Sequence, residues 1–432
     1  MRIGFVVQSG RPNFKPFRNQ PLVALYLLTI LEERFGERIR LSLIDLRGVE
    51  EDSILYHIQE NDIFLYSVTS PDFDEIPFIV QKIRAVYPKA KHIAGGPHVN
   101  HFPEQCSALF DSIVLGEGEE SIVNLMNDVF ASEIKPLYRE VNPINLDMYP
   151  YPSRKYLPKT AVVDTGILDG KHLNLRGTTA IFSRGCPFNC HFCANLNFGQ
   201  VRFRSPALIK EEIAYLKKEY NIEALAIKDD NSIPVASKIA KPLLEAIGQT
   251  EIKWRGQSRA NGVHPDMVKL AWEAGCTDIA VGIESVSPVV LKLVNKKIDI
   301  EQAKEYIRLL NKTGIGARLH FIFGLPGETN DIVKQTLQFI NDTNPKSVLL
   351  SLFCPLPGSE FYKYPERYGI NINVTSWNQY RVAFGRFDAN ELPMMVFEYN
   401  KVTHWGTGMS KDRILRNYIE LQTVLRERGL NF

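Results

Sequence analysis

The chain contains no apolar run long enough to cross a membrane as a helix. Its most apolar stretch, Pro21 to Leu31, falls far short of the roughly 20 residues a span requires. That stretch reads as a buried amphipathic helix. Charge of one sign is also missing: 51 Lys and Arg stand against 49 Asp and Glu, a net charge of +2. A domain-wide positive field of the kind that holds phosphate backbones is therefore not implied, and nucleic acid is not an expected partner. No secretory pattern precedes the strand-like Met1–Val7, so the expected compartment is the cytoplasm. Cysteine is sparse, six in 432 residues, which is no disulfide framework. Three of the six fall within eight residues, Cys186, Cys190 and Cys193, and this points to a metal site in a reducing compartment.

With hydrophobic residues at 44% and charged residues at 23%, the composition is that of a folded protein of two or three domains. Strand-like and helix-like segments alternate along it. In the first 130 residues the β runs are Arg2–Val7, Ile39–Leu46, Ile63–Thr69, His92–Gly95 and Ser112–Leu115, with helical spacing over Leu22–Phe35 and Ile76–Val86. This describes a doubly wound parallel sheet, assigned to residues 1–135. Pro136, Pro143, Pro150, Pro152 and Pro158 then punctuate a linker over 136–178. Alternation resumes over 179–360. Its β runs are Ala180–Ser183, Leu225–Lys228, Lys253–Ser258, Asp278–Ile283, Ala317–Phe323 and Ser347–Phe353. Six βα units suggest an open, partial barrel, since a closed one needs eight. Residues 361–432 form a mostly helical extension, rich in aromatics such as Trp377, Tyr380, Phe384, Phe387 and Trp405. It ends in a helical run, Asp412–Arg428, and is expected either to cap the barrel mouth or to add packing.

The segment Ser183-Arg-Gly-Cys-Pro-Phe-Asn-Cys-His-Phe-Cys-Ala-Asn195 follows a strand and has the spacing C-x3-C-x2-C. Three thiolates on one loop can ligate three irons of a cubane cluster and leave the fourth open. Zinc is the other metal to weigh, with His191 as a fourth ligand, although the loop would then have to turn sharply. Cys276 reads as a small buried hydrophobe, and Cys354 stands between a packing role and one facing a substrate.

At these residues the chain resembles the radical S-adenosylmethionine (SAM) superfamily, with Phe192 in the aromatic place of C-x3-C-x-aromatic-C. The resemblance extends over Thr179–Gly358. Lys228-Asp-Asp-Asn231, Gly282-Ile-Glu-Ser285, Gly324-Leu-Pro-Gly-Glu-Thr329 and Pro355-Leu-Pro-Gly358 all look like that family's strand ends. It implies a [4Fe–4S] cluster on Cys186, Cys190 and Cys193. It also implies SAM contacts from Phe192, Ser258, Arg259, Glu284 and Pro326, with Glu284 on the ribose hydroxyls. An external one-electron donor such as flavodoxin or ferredoxin would supply the cluster.

Upstream, Ser67-Val-Thr69, Gly95-Gly96 and Gly116-Glu-Gly-Glu119 end the third, fourth and fifth strands. A glycine pair at a strand end lets backbone approach a flat ligand. Set before the cysteine motif, this resembles the cobalamin-binding domain of many radical enzymes, and implies contacts from Ser67, Thr69, Gly95, Gly96, Gly116 and Glu117. The first loop, Gln8–Arg18, has no histidine where cobalt-ligating relatives carry one, so cobalt would lack a histidine from this loop. His98 reads as a hydrogen-bonding group rather than a ligand. The resemblance implies a cobalamin-dependent radical SAM enzyme methylating an unactivated carbon of a small molecule or peptide, through methylcobalamin and a 5′-deoxyadenosyl radical. A radical rearrangement or cyclisation without methyl transfer is the alternative. A transfer-RNA methylthiolase would need three cysteines in the first domain, which has only Cys106. A non-catalytic cobalamin sensor would have no need of an open iron.

Overall fold

The computed structural model describes residues 1–8, 17, 20–195, 199–380 and 394–430. The chain forms two compact units: Met1–Val162 with residues 375–380, and Val163–Val374 with the C-terminal part of the chain.

In the first unit six strands lie in the order β2-β1-β3-β4-β5-β6. They are β1 Arg2–Val7, β2 Arg40–Asp45, β3 Ile63–Ser67, β4 Lys91–Gly95, β5 Ser112–Leu115 and β6 Leu137–Arg139. Every neighbouring pair is parallel. Runs such as Ile63-Phe-Leu-Tyr66 are apolar on both faces because helices cover both faces. Ile3, Phe5, Leu65, Ile93 and Val114 pack with the helices Leu22–Phe35 and Gly118–Ala131. Val6, Phe64, Tyr66, Ala94 and Ile113 pack with Ile76–Val86 on the other side. The sheet is thus doubly wound, and its order reverses between β1 and β3, where such sheets open a ligand crevice. At that point Gln8 donates from Nε2 to the Ser67 carbonyl (2.9 Å).

The second unit carries the strands β7 Gly177–Ala180, β10 Ala224–Ile227, β11 Lys253–Arg259, β12 Cys276–Glu284, β13 Gly316–Phe323 and β14 Ser347–Leu352. They are parallel and lie in chain order, a curled half-barrel of six βα units. Between β7 and β10 a short antiparallel pair, β8 Ser183–Arg184 and β9 Arg202–Phe203, frames the cysteine loop.

One expectation needs correction. The stretch 136–178 is no free linker. Leu137–Arg139 pairs with β5, and Leu146 and Tyr149 enter the first core, while Ile167 and Leu168 pack on Ala224 and Ala226 of the second unit. Of the two roles expected for the tail, the final helix, Lys411–Glu427, takes the packing one. It packs on the helix Ile332–Thr343 and on β13 and β14, so it supplies the outer helix of the sixth βα unit. The Leu430 carbonyl accepts from Val348 N (2.8 Å), which ties the chain end to β14. Before that helix come short helical turns, Glu360–Lys363 and Pro365–Tyr368, and two short antiparallel pairs, Ile370–Ile372 with Phe397–Tyr399 and Val402–Thr403 with Gly406–Thr407. Trp405 bonds the Tyr368 carbonyl, and Trp377 belongs to the first unit, while Phe384 and Phe387 lie outside the described residues. Among the described residues no helix is long and apolar enough to cross a membrane.

Candidate active site

The cysteine loop leaves the half-barrel at the carboxyl end of β7. Asp229, just beyond β10, clamps its start: Oδ1 accepts from the amides of Phe182 (2.7 Å) and Ser183 (3.0 Å). Asp229 is buried, and this burial pushes its carboxyl up to about 7 against the pull of those amides. Its carbonyl accepts from Gln257 Nε2 (2.6 Å), which joins the clamp to β11. Gly185 takes φ +88°, the left-handed turn that admits the loop. The far side is tied to the segment after β12: His191 N donates to Val294 O (3.0 Å), and Asn295 Nδ2 to Asn189 O (2.6 Å).

Cys190 is buried, Cys186 half-buried and Cys193 exposed. Burial raises the Cys186 thiol; the Phe188 amide and Arg259 work against this, while Asp230 and Cys190 add to it. Burial therefore favours the protonated Cys186 thiol over its thiolate, which a metal would have to displace. Among the described residues no three His, Cys, Asp or Glu side chains converge on one ion. His191 Nδ1 is engaged by the Leu293 carbonyl (3.0 Å) and the Tyr368 hydroxyl (3.2 Å). Three separate thiols on one loop suit a polynuclear cluster, in which each binds its own iron.

Around this loop stand the ends of β11, β12 and β13, where barrel sites form. Arg259 ends β11 and is nearly buried; Nη1 lies 3.4 Å from Cys190 Sγ, and its carbon centre 3.7 Å from the Phe188 ring centroid. Nε donates to Asn261 Oδ1 (3.1 Å), while Nη2 is buried without a partner among the described residues. Ser258 has the opposite orientation, as strand alternation requires. Its hydroxyl bonds Tyr306 OH (2.7 Å) and the Arg259 carbonyl (3.0 Å), so it serves the helix layer and is turned from the loop.

Glu284 ends β12 at a register irregularity with φ +68°, a strained conformation for a residue with a side chain. Oε1 accepts from Lys296 Nζ (2.8 Å), and both side chains are almost enclosed. A Cβ at Gly282 would stand 2.3 Å from that oxygen, so glycine makes room for the pair. Lys296 Nζ also lies 5.9 Å from the Phe192 ring centroid. Beyond β13, Glu328 folds back to accept from Gly324 N (2.8 Å) and Leu325 N (3.2 Å), which shapes the turn carrying the buried Pro326. Burial pushes the Glu328 carboxyl up to about 8. Cys276 and Cys354 are both buried. Asp229, Gln257, Lys296 and Glu328 are site residues that sequence reasoning does not single out. Asp229 and Glu328 lie inside the strand-end motifs, whereas Lys296 carries no local signal.

In the first unit, Ser67, Gly95 and Gly96 meet at the carboxyl ends of β3 and β4. Gly96 has φ +102°, and a Cβ there would be 2.8 Å from both Val68 N and Val68 O. Gly95 faces only ordinary contacts. Thr69 is engaged locally, its hydroxyl donating to Asp72 Oδ2 (2.5 Å). Gly116 is required by packing, since a Cβ would meet the Glu140 carbonyl at 2.2 Å, and Glu117 accepts from Ile144 N (3.1 Å). His98 stacks on Phe73 at 4.1 Å between centroids, with ring nitrogens 3.0 Å from Ser70 Oγ and 3.3 Å from Gln105 Oε1. It is a core group. Of the histidine-free first loop, residues 9–16 and 18 lie outside the described residues.

Residues 180–340 match the model of the radical SAM superfamily. The chain carries a radical SAM domain. An uncharacterised methyltransferase of Pyrococcus horikoshii is 28% identical over 386 residues, covering 83% of this chain and 81% of that one. An anaerobic magnesium-protoporphyrin IX monomethyl ester cyclase of Rubrivivax gelatinosus is 26% identical over 379 residues, covering 83% of this chain and 65% of its own. Among solved structures, the radical SAM methyltransferase TsrM of Kitasatospora setae, with cobalamin and a [4Fe–4S] cluster bound, superposes with TM-score 0.68 at 16% identity. The match covers 97% of this chain and 90% of that one. The radical SAM domain thus sits in an architecture shared along nearly the whole chain.

Proposed function

We propose that this protein is a cobalamin-dependent radical SAM enzyme that methylates an unactivated carbon of a small molecule or peptide. The observation that carries the reading is the thiol set Cys186, Cys190 and Cys193 at the mouth of a parallel half-barrel, with Arg259 and the Glu284–Lys296 pair beside it. When bound, the reduced cluster and SAM supply a carbon-centred radical, and cobalamin supplies a methyl carrier. The chain's own residues bind and orient. Arg259 Nη2, buried and unpartnered, suits the carboxylate of SAM. Glu284 is held by Lys296 through one oxygen and keeps the other for ribose hydroxyls. The Leu325–Pro326 backbone, fixed by Glu328, flanks the adenine. Ser67, Gly95 and Gly96 form the strand-end cradle for cobalamin, with Thr69, Gly116 and Glu117 shaping its rim. The reduced thiols and the need for low-potential electrons suit the cytoplasm and a flavodoxin- or ferredoxin-like donor.

Product ratio tests the reading. Each methylation consumes two SAM and yields one S-adenosylhomocysteine, one 5′-deoxyadenosine with methionine, and a substrate heavier by CH2. Deoxyadenosine without matching S-adenosylhomocysteine, and a product of unchanged or lower mass, would instead mean cyclisation or rearrangement. The similarity to the cyclase gives that second reading its support.

Glu284→Gln keeps the shape and the bond to Lys296 but removes the charge that ribose hydroxyls address. A charge-assisted hydrogen bond contributes about 1.5–3 kcal/mol. The SAM dissociation constant should rise about 10- to 100-fold with iron content unchanged; unaltered binding refutes the assignment.

A further inference from the structure

We infer that Arg259 sets the reduction potential of the iron–sulfur cluster through its hydrogen bond to Cys190. This rests on the assignment of Cys190 as a cluster ligand. Nη1 lies 3.4 Å from Cys190 Sγ, and the guanidinium is pinned on its other sides by the Phe188 ring and by Asn261. Asn261 is itself fixed, donating from Nδ2 to the Lys297 carbonyl (3.0 Å). A donor held from three directions cannot swing away when the charge on its acceptor changes. Arg259 is only 7% exposed, so its field is weakly screened.

The step concerned adds one electron to the cluster from an external one-electron donor, and no bond forms or breaks. The added charge spreads onto the sulfurs, including the coordinating thiolates. A fixed N–H donor and a buried positive charge at one thiolate stabilise the reduced state more than the oxidised one. Hydrogen bonds to the sulfurs are among the levers that set such potentials. No acidic side chain pairs with Arg259 among the described residues, so in the SAM-free protein no counter-charge of the chain offsets it beside the thiolate.

Arg259→Met fills similar volume without a donor or a charge, and Arg259→Lys keeps the charge without the planar fork. Both are reconstituted anaerobically and titrated against redox dyes, with the reduced cluster read by electron paramagnetic resonance. The Met variant should bind a full complement of iron, and its reduced-to-oxidised ratio at a fixed potential should fall about tenfold, equivalent to about 59 mV for one electron. The Lys variant should fall between it and the unaltered protein. An unchanged potential in an iron-replete Met variant overturns the inference. If that variant loses iron, the Lys variant decides: a lowered potential supports the role and an unchanged one overturns it. Failure of the unaltered protein to bind iron at all would strike the cluster assignment itself, a separate result.

Discussion

Replacing Cys186, Cys190 and Cys193 together with alanine should reduce bound iron to background and erase the cluster's visible absorption. SAM cleavage should vanish with it. The effect is total because no other thiol can substitute: Cys276 and Cys354 are buried elsewhere in the same unit, and Cys106 belongs to the other. Cys276→Ala and Cys354→Ala should therefore retain full iron. The fold should survive the triple change, since the loop lies outside the parallel ladder and is anchored by backbone bonds of Gly199, His191 and Asn189 that use no sulfur. Full iron in the triple variant would sink the site.

The second large effect is expected at Asp229. Asp229→Ala leaves the amides of Phe182 and Ser183 buried and unpaired, and each orphaned donor costs about 1–3 kcal/mol. Thermal unfolding should fall accordingly, and iron uptake should drop because the clamp fixes where the cysteine loop begins. Asp229→Asn should restore both, because the two amides share one oxygen that asparagine retains. The pH dependence has a definite sign. The folded carboxyl titrates at about 7, above its ordinary 3.8, so the folded chain holds a proton that the unfolded chain releases. This contribution to stability is fully present below about pH 4 and is lost as pH rises through 7. Asp229→Asn should flatten that slope in the iron-free protein. Equal slopes in the two proteins would show that Asp229 is not protonated in the fold.

The elements themselves are readable because each is announced locally. Five of the six strands of the first sheet and five of the six of the half-barrel follow from short β-rich runs between helical spacings, while the run read at Ala180–Ser183 lies three residues beyond the start of the true strand, Gly177–Ala180. The sixth strand, Leu137–Arg139, escapes such a reading for a physical reason: three residues after Pro136 have no periodicity of their own and become a strand only by pairing with β5. The final helix is legible as a helix, yet its place beside β13 and β14 depends on packing with residues nearly 100 positions earlier.

The same division runs through the site. The spacing of Cys186, Cys190 and Cys193 is a local fact, because one loop must present three thiols, and the motifs at the strand ends are local too. Their chemistry beyond that is set by register. Parallel pairing brings Arg259 to Cys190 across 69 positions and Asp229 to Phe182 across 47. A bulge at Glu284 turns its carboxylate to Lys296, while alternation on β11 sends Ser258 to Tyr306 and leaves Arg259 facing the loop. Gly116 has the sequence setting of a ligand contact, and in the fold it is demanded by the Glu140 carbonyl. Residue type and spacing alone thus determined the alternating architecture and the three-cysteine loop. Which polar groups are paired, strained or left open was decided only in the folded chain, because hydrogen bonds and close approaches join residues that no sequence period connects.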